Sequence, residues 1–491
     1  MTGIRCLKIA GVVAVLCAMA ATSHAQTFTT IASFNLYLGR SPVAPLIQGP
    51  DGNFYGTTQS GGTTLNDPLC SPFGCGTVFK VTPSGTVTTL YNFCSKNNCA
   101  DGTEPFAGLV LGTNGNFYGT TFSGGANDNR GTVFEITPQG KLTTLHSFCS
   151  QTDCPDGAQP LSGLTLGTDG NFYGTTIGGG STFSGTAYRI SPTGNFAVLY
   201  SFCSRTACAD GAEPAGTLAL ATNGKFYGTA PLGGETDGGS IFQLTPSGLE
   251  TVVHNFPGPE NPDNIANGVM QGADGNLYGT SYLGGSNRFG YVFKLTPAGQ
   301  FTRLYSFCSK ANCSDGAEPQ SELIQGTDGN LYGTTAGLGG NPFGTVFEIT
   351  TTGNLTTLYD FCPQNFDCTD GATPEAGLLQ ATNGVFYGVT SIGGSSQDCS
   401  GGCGTIFSVS MGLSPFVQPY PSFGKAGQVI GILGNNLTGS TEVSFNGIPA
   451  SFTVVSSTLI KATVPSGTAT GPIEVTTPTG TLSSNVAFHV E

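Results

Sequence analysis

A short pattern of apolar and small residues returns seven times along the chain. Each copy holds an apolar residue, a tyrosine, a glycine and a small residue, as in Phe117-Tyr118-Gly119-Thr120. A period of 51 to 63 residues fits one small sheet per repeat, arrayed as a propeller or a solenoid. The repeat tyrosines are Tyr55, Tyr118, Tyr173, Tyr227, Tyr278, Tyr332 and Tyr387.

Each repeat divides into four strand-like segments that alternate apolar and polar residues. In the second repeat these segments are 109–111, 116–121, 131–136 and 142–148. Asn114-Gly115 joins the first two and is typical of a tight hairpin turn that needs positive φ. Four antiparallel strands in this order form one blade of a β-propeller.

The series of strands begins and ends partway through a repeat. A strand of the fourth type, 28–34, precedes any first strand, and the last third-type strand, 405–409, is followed by no fourth strand. The N-terminal strand is therefore expected to complete the last blade, which would close the ring and remove its exposed edges. We predict an all-β fold in which a seven-bladed β-propeller, closed by an N-terminal strand, precedes a small immunoglobulin-like β-sandwich. A linear solenoid is the less favoured alternative.

The two ends of the chain differ from the repeats. Residues 1–25 start with basic residues, continue with an apolar core and end in Ser23-His24-Ala25, which predicts a secretion signal peptide. The segment after Met411 lacks cysteine and the repeat, and its short strands predict a β-sandwich. The predicted domains are the signal peptide at 1–25, the propeller at 26–411 and the sandwich at 412–491.

The negative charge of the chain limits the classes of partner that it can bind. It holds 16 basic and 30 acidic residues, for a net charge of −14, and loss of the predicted signal would leave 14 basic residues. Such an acidic protein is a poor ligand for nucleic acid or for anionic membranes. No other apolar stretch reaches membrane length. We expect a secreted or extracytoplasmic protein, in the periplasm, at the cell surface or outside the cell, without membrane insertion after signal removal.

The cysteines agree with export. Fourteen of the 16 follow the predicted signal, and they form seven close pairs, five in one slot of the repeat and two in another. We therefore predict local disulfides, as in exported proteins. Zinc is the less favoured alternative, because no histidine is near and each pair would need partners from a distant repeat. The predicted disulfides are Cys70–Cys75, Cys94–Cys99, Cys149–Cys154, Cys203–Cys208, Cys308–Cys313, Cys362–Cys368 and Cys399–Cys403.

Two resemblances to known families follow from these motifs. Residues 27–410 resemble the GloVer tandem-repeat family of exported bacterial proteins in their Gly-Asn-Phe/Leu-Tyr-Gly-Thr, Gly-Gly, Gly-Thr-Val-Phe and Leu-Tyr-x-Phe motifs. That resemblance implies propeller-like repeats and no defined activity. The C-terminal segment resembles an IPT/TIG domain, which implies a spacer, adhesion or ligand-binding module. The second resemblance rests on 427–434, Asn435-Asn436-Leu437, 443–447, 464–467 and 471–475.

A ligand is expected on one face of the predicted propeller. The connections alternate between a face of tight turns and a face of long loops, which carries the cysteine pairs and a repeated Asp-Gly-x-Glu/Gln/Thr-Pro motif. Acidic side chains there could bind a cation or a polyhydroxylated ligand such as a glycan, and each Asp-Gly could equally shape a turn. The candidate ligand-binding residues are Asp101, Glu104, Asp156, Asp210, Glu213, Glu260, Asp263, Asn264, Asp315, Glu318 and Asp370.

Catalysis finds little support in the sequence. After the predicted signal the histidines are His146, His254 and His489, and the first two occupy a tyrosine slot of the repeat. No nucleophile elbow, metal-binding helix or phosphate loop is present. We predict no catalytic residue, no metal site and no cofactor, and expect a non-enzymatic binding, adhesion or scaffold protein whose partner is a glycan or a cell-surface protein. The alternative is a carbohydrate-active hydrolase or lyase that uses carboxylates on the long-loop face.

Overall fold

The computed structural model describes residues 26–65, 67–70, 72–258, 267–337, 342–363 and 367–491. The predicted signal peptide at 1–25 and the candidate residues Glu260, Asp263 and Asn264 lie outside the described residues. What is described is almost entirely β-structure, as predicted. None of its helices has the length and apolar character that crossing a membrane requires. The short 3-10 helices are Asn97–Cys99, Thr206–Cys208 and Ala311–Cys313.

Within the described residues, seven four-stranded antiparallel sheets occupy the chain up to Ser410. Sheet 1 contains β2–β5, sheet 2 β6–β9, sheet 3 β10–β13, sheet 4 β14–β17, sheet 5 β18–β21 and sheet 6 β22–β25, and sheet 7 contains β26–β28 with β1. The strands are β1 (Thr27–Ser33), β2 (Ile47–Gln48), β3 (Phe54–Thr58), β4 (Thr77–Val81), β5 (Val87–Asn92), β6 (Val110–Leu111), β7 (Phe117–Thr121), β8 (Thr132–Ile136), β9 (Leu142–Ser147), β10 (Thr165–Leu166), β11 (Phe172–Thr176), β12 (Thr186–Ile190), β13 (Phe196–Ser201), β14 (Ala219–Leu220), β15 (Phe226–Ala230), β16 (Ser240–Leu244), β17 (Glu250–Asn255), β18 (Val269–Gln271), β19 (Leu277–Ser281), β20 (Tyr291–Leu295), β21 (Phe301–Ser306), β22 (Ile324–Gln325), β23 (Leu331–Thr335), β24 (Thr345–Ile349), β25 (Leu355–Asp360), β26 (Leu379–Gln380), β27 (Phe386–Thr390) and β28 (Thr405–Ser410).

The N-terminal strand completes the last sheet. β1 runs antiparallel to β28, with Thr27 opposite Ser410 and Ser33 opposite Thr405. Phe28 of β1 also stacks on Tyr359 of sheet 6, with ring centroids 3.5 Å apart. The two ends of the repeat region are therefore held together by backbone hydrogen bonds and by an aromatic contact.

Each repeat tyrosine is held by the turn that precedes it. Asp51 accepts hydrogen bonds from the Asn53 backbone N–H at 3.2 Å, the Asn53 side chain at 2.7 Å and the Tyr55 hydroxyl at 2.8 Å. Burial, assisted by Asp51, raises the pKa of Tyr55 far above its ordinary value. One carboxylate therefore fixes both the turn and the direction of the buried ring. The same bond joins Asp169 to Tyr173, Asp274 to Tyr278 and Asp328 to Tyr332.

Neighbouring sheets pack through these tyrosines. The ring of Tyr55 in sheet 1 lies 4.2 Å from that of Phe117 in sheet 2, and Tyr387 in sheet 7 lies 4.2 Å from Phe54 in sheet 1. A buried aromatic side chain of this size contributes roughly 1.5–3 kcal/mol by leaving water. The contact repeats between Tyr118 and Phe172, Tyr173 and Phe226, and Tyr332 and Phe386, and apolar clusters fill the two other junctions. Each sheet therefore contacts the next one along the chain, and sheet 7 also contacts sheet 1.

The C-terminal residues form a β-sandwich around a core of their own. Its two four-stranded sheets have the strand orders β29-β31-β35-β34 and β33-β32-β36-β37, and β30 pairs with β38 in parallel. The strands are β29 (Gln418–Tyr420), β30 (Phe423–Gly424), β31 (Val429–Leu433), β32 (Glu442–Phe445), β33 (Ile448–Pro449), β34 (Phe452–Ser456), β35 (Leu459–Thr463), β36 (Ile473–Thr477), β37 (Gly480–Ser483) and β38 (His489–Val490).

The sandwich contacts the tight turns of sheets 1 and 7. The Thr458 hydroxyl donates a hydrogen bond to the Pro50 carbonyl at 2.9 Å, and the Asn435 side chain donates one to the Thr382 hydroxyl at 2.7 Å. Pro50 and Thr382 lie in the turns between the first and second strands of the two sheets. The opposite side, which carries the long loops, is left uncovered by the sandwich.

Replacing Phe28 with alanine should destabilise the repeat region by about 2–3 kcal/mol, because the truncation leaves a gap against Tyr359 and Phe407. Urea unfolding followed by tyrosine fluorescence would measure the loss. The matched control is Phe183→Ala, since Phe183 is 63% exposed and should change stability by less than about 0.5 kcal/mol. Equal stability of the two variants would contradict a structural role for β1.

Candidate functional site

Seven equivalent positions meet where the first strand of each sheet begins. A Cβ on Gly163 would lie 3.4 Å from the Thr217 hydroxyl and 3.6 Å from the Gly108 carbonyl, and one on Gly377 would lie 3.2 Å from the Glu322 carbonyl. Neighbouring positions therefore lie in contact, and a Cβ on Gly108 or Gly377 would press on the carbonyl beside it, whereas one on Gly163 would make ordinary contacts. We call this set the central ring. It consists of Pro45, Gly108, Gly163, Thr217, Gly268, Glu322 and Gly377.

Glu322 is the acidic member of the central ring. Its carboxylate accepts a hydrogen bond from the Thr217 N–H at 3.2 Å, and a Cβ on Gly268 would collide with the same oxygen. Burial raises the pKa of the Glu322 carboxyl, although hydrogen bonds from Thr217 and Gly268 act in the other direction. A polar side chain of sheet 6 therefore contacts the ring positions of sheets 4 and 5.

Two columns of variable side chains surround the central ring on the long-loop side. Each residue of the first column precedes its central-ring residue by two positions in the sequence, which is roughly 7 Å along an extended chain. Each residue of the second column directly follows the second strand of its sheet. We call these residues the mouth. The first column is Val43, Phe106, Leu161, Ala215, Gln320 and Glu375, and the second is Gln59, Phe122, Ile177, Pro231, Tyr282, Ala336 and Ser391.

One side of the mouth is apolar and aromatic. Phe106 and Phe122 are both half-buried, and their rings meet edge to face with centroids 5.3 Å apart. Leu161 and Ile177 of the next sheet occupy the equivalent positions and are also half-buried. This arrangement leaves part of two rings open to solvent beside aliphatic side chains.

The other side of the mouth is polar and acidic. The Ser391 hydroxyl donates a hydrogen bond to Glu375 at 3.3 Å. Glu375 occupies the position that Phe106 has in sheet 2, and Ser391 occupies the position of Phe122. Burial raises the pKa of the Glu375 carboxyl, and the bond from Ser391 opposes that shift only in part. The mouth therefore carries a carboxyl group that gains a proton more readily than an exposed glutamate does.

Tyr282 lies near two carboxylates at this side. Burial, a hydrogen bond to Glu318 and the negative charges of Glu318 and Glu375 raise the pKa of the Tyr282 hydroxyl to about 12. Glu318 is only 7% exposed, and its Oε2 accepts no hydrogen bond from any residue in the described part of the chain. A buried acceptor without a partner is costly, so this oxygen would be stabilised by any donor that reached it.

The aspartates predicted to bind a ligand make hydrogen bonds within their own loops. Asp210 accepts hydrogen bonds from the Tyr200 hydroxyl at 2.7 Å and from the Ser204 N–H and hydroxyl at 2.8 Å each. Burial alone would raise the pKa of Asp210, but these bonds hold it below the ordinary value. Asp101, Asp156, Asp315 and Asp370 hold equivalent bonds, and the partner of Asp156 is His146 at 3.0 Å. Their ligand-binding role stays a prediction.

The predicted glutamates share a strained backbone. Glu104, Glu213 and Glu318 have φ of 55°, 55° and 57°, a left-handed conformation that costs roughly 1 kcal/mol in a residue with a side chain. The Glu104 N–H donates to the Cys75 carbonyl at 2.9 Å, and its own carbonyl accepts from the Phe122 N–H at 3.0 Å. Of the three, the structure brings Glu318 to Tyr282, whereas Glu213 is exposed.

Sequence analysis missed several residues of the mouth, among them Glu375, Tyr282, Ser391 and Phe106. A signal was present, because the residue that follows the repeated proline varies from one repeat to the next while its neighbours stay nearly constant. Such a column is visible only when the repeats are aligned by strand rather than by motif. Glu322 carried a similar signal, because most of the other repeats have glycine at its position.

The seven cysteine pairs are joined as predicted and close the long loops. Five bridges lie in the connections between sheets, and two lie between the second and third strands of sheets 1 and 7. The bridges are Cys70–Cys75, Cys94–Cys99, Cys149–Cys154, Cys203–Cys208, Cys308–Cys313, Cys362–Cys368 and Cys399–Cys403.

A cleft lies on the long-loop side, away from the mouth residues. This cleft of about 880 Å³ runs between the loops of sheets 2 and 3, beside the Cys149–Cys154 bridge. Arg130, Asp153 and Phe183 line it, and all three are exposed loop residues.

An ion pair between the exposed Arg205 and the buried Glu250 stands between sheets 3 and 4. Glu250 occupies the first position of its strand, where the other sheets place apolar residues such as Leu142 and Phe301. Arg205 donates to its carboxylate at 2.6 Å. Burial nevertheless raises the pKa of Glu250 to about 7, because Asp210 nearby offsets part of the attraction of Arg205.

Comparison with known families covers almost the whole chain. The sequence profile of the Gloeobacter/Verrucomicrobia repeat matches residues 18–236 and again 217–420. The profile of the IPT/TIG domain matches residues 416–490. Among curated proteins, no match to this chain was found.

Solved structures resemble the fold at low identity. The extracellular domain of a hybrid two-component system from B. thetaiotaomicron is 12% identical with a TM-score of 0.50, over 91% of this chain and 45% of that one. The chain thus spans less than half the length of that structure. A copper-bound fungal alcohol oxidase of the AA5 family is 13% identical with a TM-score of 0.48, over 94% and 97% of the two chains. The first likeness concerns the fold alone, and nothing is inferred from the second.

Replacing Glu250 with leucine should flatten the pH dependence of stability. The folded protein holds the Glu250 proton up to about pH 7, whereas the unfolded chain releases it near 4.5, so the free energy of unfolding falls as pH rises between these values. The fall is about 3 kcal/mol for a shift of this size. Thermal unfolding from about pH 5 to pH 8 would measure it.

The expected result is a Glu250→Leu variant that gains stability over the wild-type protein as pH rises. Glu474→Leu, at an exposed strand position, is the control and should keep the wild-type profile. Parallel profiles for the wild-type protein and the Glu250 variant would show that the carboxylate ionises normally in the fold.

Proposed function

The chain belongs to the Gloeobacter/Verrucomicrobia repeat family and ends in an IPT/TIG domain, and we propose that it is an exported, non-enzymatic protein that binds a glycan on a closed seven-bladed β-propeller. The pairing of β1 with β28, the cyclic contacts between sheets and the narrow central ring support the closed architecture. In this proposal the signal peptide ends at residue 25, the propeller spans 26–411 and the sandwich spans 412–491.

Seven disulfides in the described chain indicate an extracytoplasmic protein, because such bonds persist in oxidising compartments. Each closes a loop of the same face, so the loops are shaped before any ligand arrives. Loops that are already ordered lose less conformational entropy on binding. The disulfides therefore support a binding role for this face as well as an exported location.

The division of the mouth into an aromatic and an acidic side carries the glycan proposal. A sugar ring has apolar C–H faces, which pack on aromatic side chains, and an equator of hydroxyl groups, which donate to carboxylates. Phe106 and Phe122 offer the first kind of surface. Glu318, whose Oε2 lacks a partner among the described residues, and Glu375 offer acceptors of the second kind.

The charge of the mouth indicates which class of glycan it would bind. The described members of both columns include neither lysine nor arginine, whereas Glu375 of the first column and Glu318, two residues before Gln320 of that column, are acidic. A phosphorylated, sulfated or uronic-acid-rich polymer would meet repulsion without a compensating cation. The proposed ligand is therefore a neutral or amino-substituted glycan that enters from the long-loop side, where the C-terminal sandwich leaves access.

Binding of neutral oligosaccharides should weaken when either side of the mouth is changed. Phe106→Ala removes the stacking surface and Glu375→Gln removes a charged acceptor, and each should lower affinity about tenfold, which corresponds to about 1.4 kcal/mol. A glycan array of neutral, amino and acidic sugars would find the ligand, and titration calorimetry would compare the variants.

Phe183→Ala serves as the matched control because Phe183 lines the cleft between the loops of sheets 2 and 3 and not the mouth. It should bind as the wild-type protein does. Loss of binding in the Phe183 variant alone would place the ligand in the cleft and would overturn the mouth as the site. Retention of only acidic glycans would overturn the proposed ligand class.

The Tyr282, Glu318 and Glu375 group favours a second function, a carbohydrate-active hydrolase or lyase. A carboxyl group with a raised pKa can act as a general acid, and a nearby carboxylate can act as its partner. Glu318 has counterparts in Glu104 and Glu213, but the combination with Tyr282 and Glu375 occurs at one side of the mouth.

If this second function is correct, Glu318→Gln should abolish polysaccharide turnover, with at least a hundredfold fall in kcat. Glu104→Gln, at the equivalent position of sheet 2, should leave turnover unchanged. The release of reducing or unsaturated sugar ends would be measured for both. Absence of turnover in the wild-type protein across the glycans it binds would exclude the enzymatic reading.

A further inference from the structure

Two disulfides meet in the long loops of sheet 1. Cys70–Cys75 lies between β3 and β4, and Cys94–Cys99 lies directly after β5. The four sulfur atoms and a carboxylate oxygen of Asp67 all lie within 4.8 Å of one another. In the part of the chain that the structure describes, this is the one group of metal-capable side chains that converges so closely.

The repeat explains why the convergence occurs at sheet 1. Sheet 1 carries cysteines both between its second and third strands and after its fourth strand. Sheet 7 has the first kind of pair, Cys399–Cys403, but the segment after β1 that completes this sheet contains no cysteine. A four-sulfur site therefore needs no distant repeat as a partner, because two loops of one sheet supply it.

The spacing of the sulfurs suits a tetrahedral metal ion. Zinc binds thiolate sulfur at about 2.3 Å, which places the four sulfurs of a tetrahedral site about 3.8 Å apart. Once the two S–S bonds open, atoms that already lie within 4.8 Å need shifts of about 1 Å to reach that geometry. Side-chain rotation within loops that are tied at both ends can supply movements of this size.

We propose that the reduced form of Cys70, Cys75, Cys94 and Cys99 binds a thiophilic divalent cation such as Zn²⁺ or Cd²⁺. Each disulfide takes two electrons and two protons from an external dithiol, which becomes a disulfide, and yields two thiols. Binding of the ion releases the four thiol protons as the thiolates coordinate the metal. The oxidised form, with its sulfurs paired, does not bind the ion.

Asp67 is placed to assist the ion. Its Oδ1 accepts a hydrogen bond from the Leu69 N–H at 3.0 Å and lies 3.5 Å from the sulfur of Cys99. Without a cation, this carboxylate would disfavour a neighbouring thiolate, whereas with one it adds to the attraction. Cys75 and Cys99 are fully buried, while Cys70 and Asp67 are partly exposed, so an ion would enter from the side of Cys70.

The test uses the full exported chain, reduced with a dithiol that is then removed without oxygen. Cadmium titration should give a sulfur-to-cadmium charge-transfer absorption that saturates at about one tightly bound ion per chain. Competition with a chromophoric chelator would give the affinity. The Cys70→Ser/Cys75→Ser double variant should bind at least a hundredfold more weakly, because two thiolates are left where four are needed.

The matched control is the Cys149→Ser/Cys154→Ser double variant, which removes a disulfide that has no second pair beside it and should keep the tight site. Asp67→Asn retains every cysteine and should lower cadmium affinity several-fold. Equal affinities for the two cysteine variants would overturn the proposal. Tight cadmium binding by the oxidised protein would also overturn it, because that binding could not use the four thiolates.

Discussion

The narrowness of the central ring is the constraint on which the rest of the structure depends. The seven chain segments approach one another so closely there that a Cβ on Gly268 or Gly377 would press on its neighbour, and four of the seven positions hold glycine. This close approach sets the distance between successive sheets. The repeat tyrosines can then span each junction, and the two sides of the sheet array become distinct surfaces.

The same residue types serve different purposes at different depths of the long-loop face. Asp210 and its equivalents are buried and fully engaged by Tyr200 and Ser204, so their negative charge is balanced by donors within one loop. Glu318 and Glu375 lie closer to the centre, where the surrounding groups are apolar or themselves acidic. Burial with one donor, the Ser391 hydroxyl, raises the pKa of the Glu375 carboxyl, so this group gains a proton more readily than an exposed glutamate does.

Much of the fold was predictable because it is periodic. The spacing of Tyr55 and its equivalents predicted the sheets, and the circular shift of the pattern predicted that β1 would pair with the last strand. The cysteine pairs were predictable because each bridge is local. The mouth was not, because Tyr282 and Glu375 belong to different sheets and come together only through the ring. Nor does a motif show that Asp156 will bond to His146, since the histidine replaces a tyrosine ten residues earlier.

The contact between the C-terminal sandwich and the repeats has a mechanical consequence. Thr458 bonds to the turn of sheet 1, and Asn435 bonds to the turn of sheet 7. The sandwich therefore contacts both sides of the seam, the pairing of β1 with β28, where hydrogen bonds and not a covalent link join the two ends of the repeat region. A force applied to the C-terminus would be divided between both flanks of that seam instead of peeling one flank away. The sandwich would then help to hold β1 and β28 together when the protein is tethered through its C-terminus.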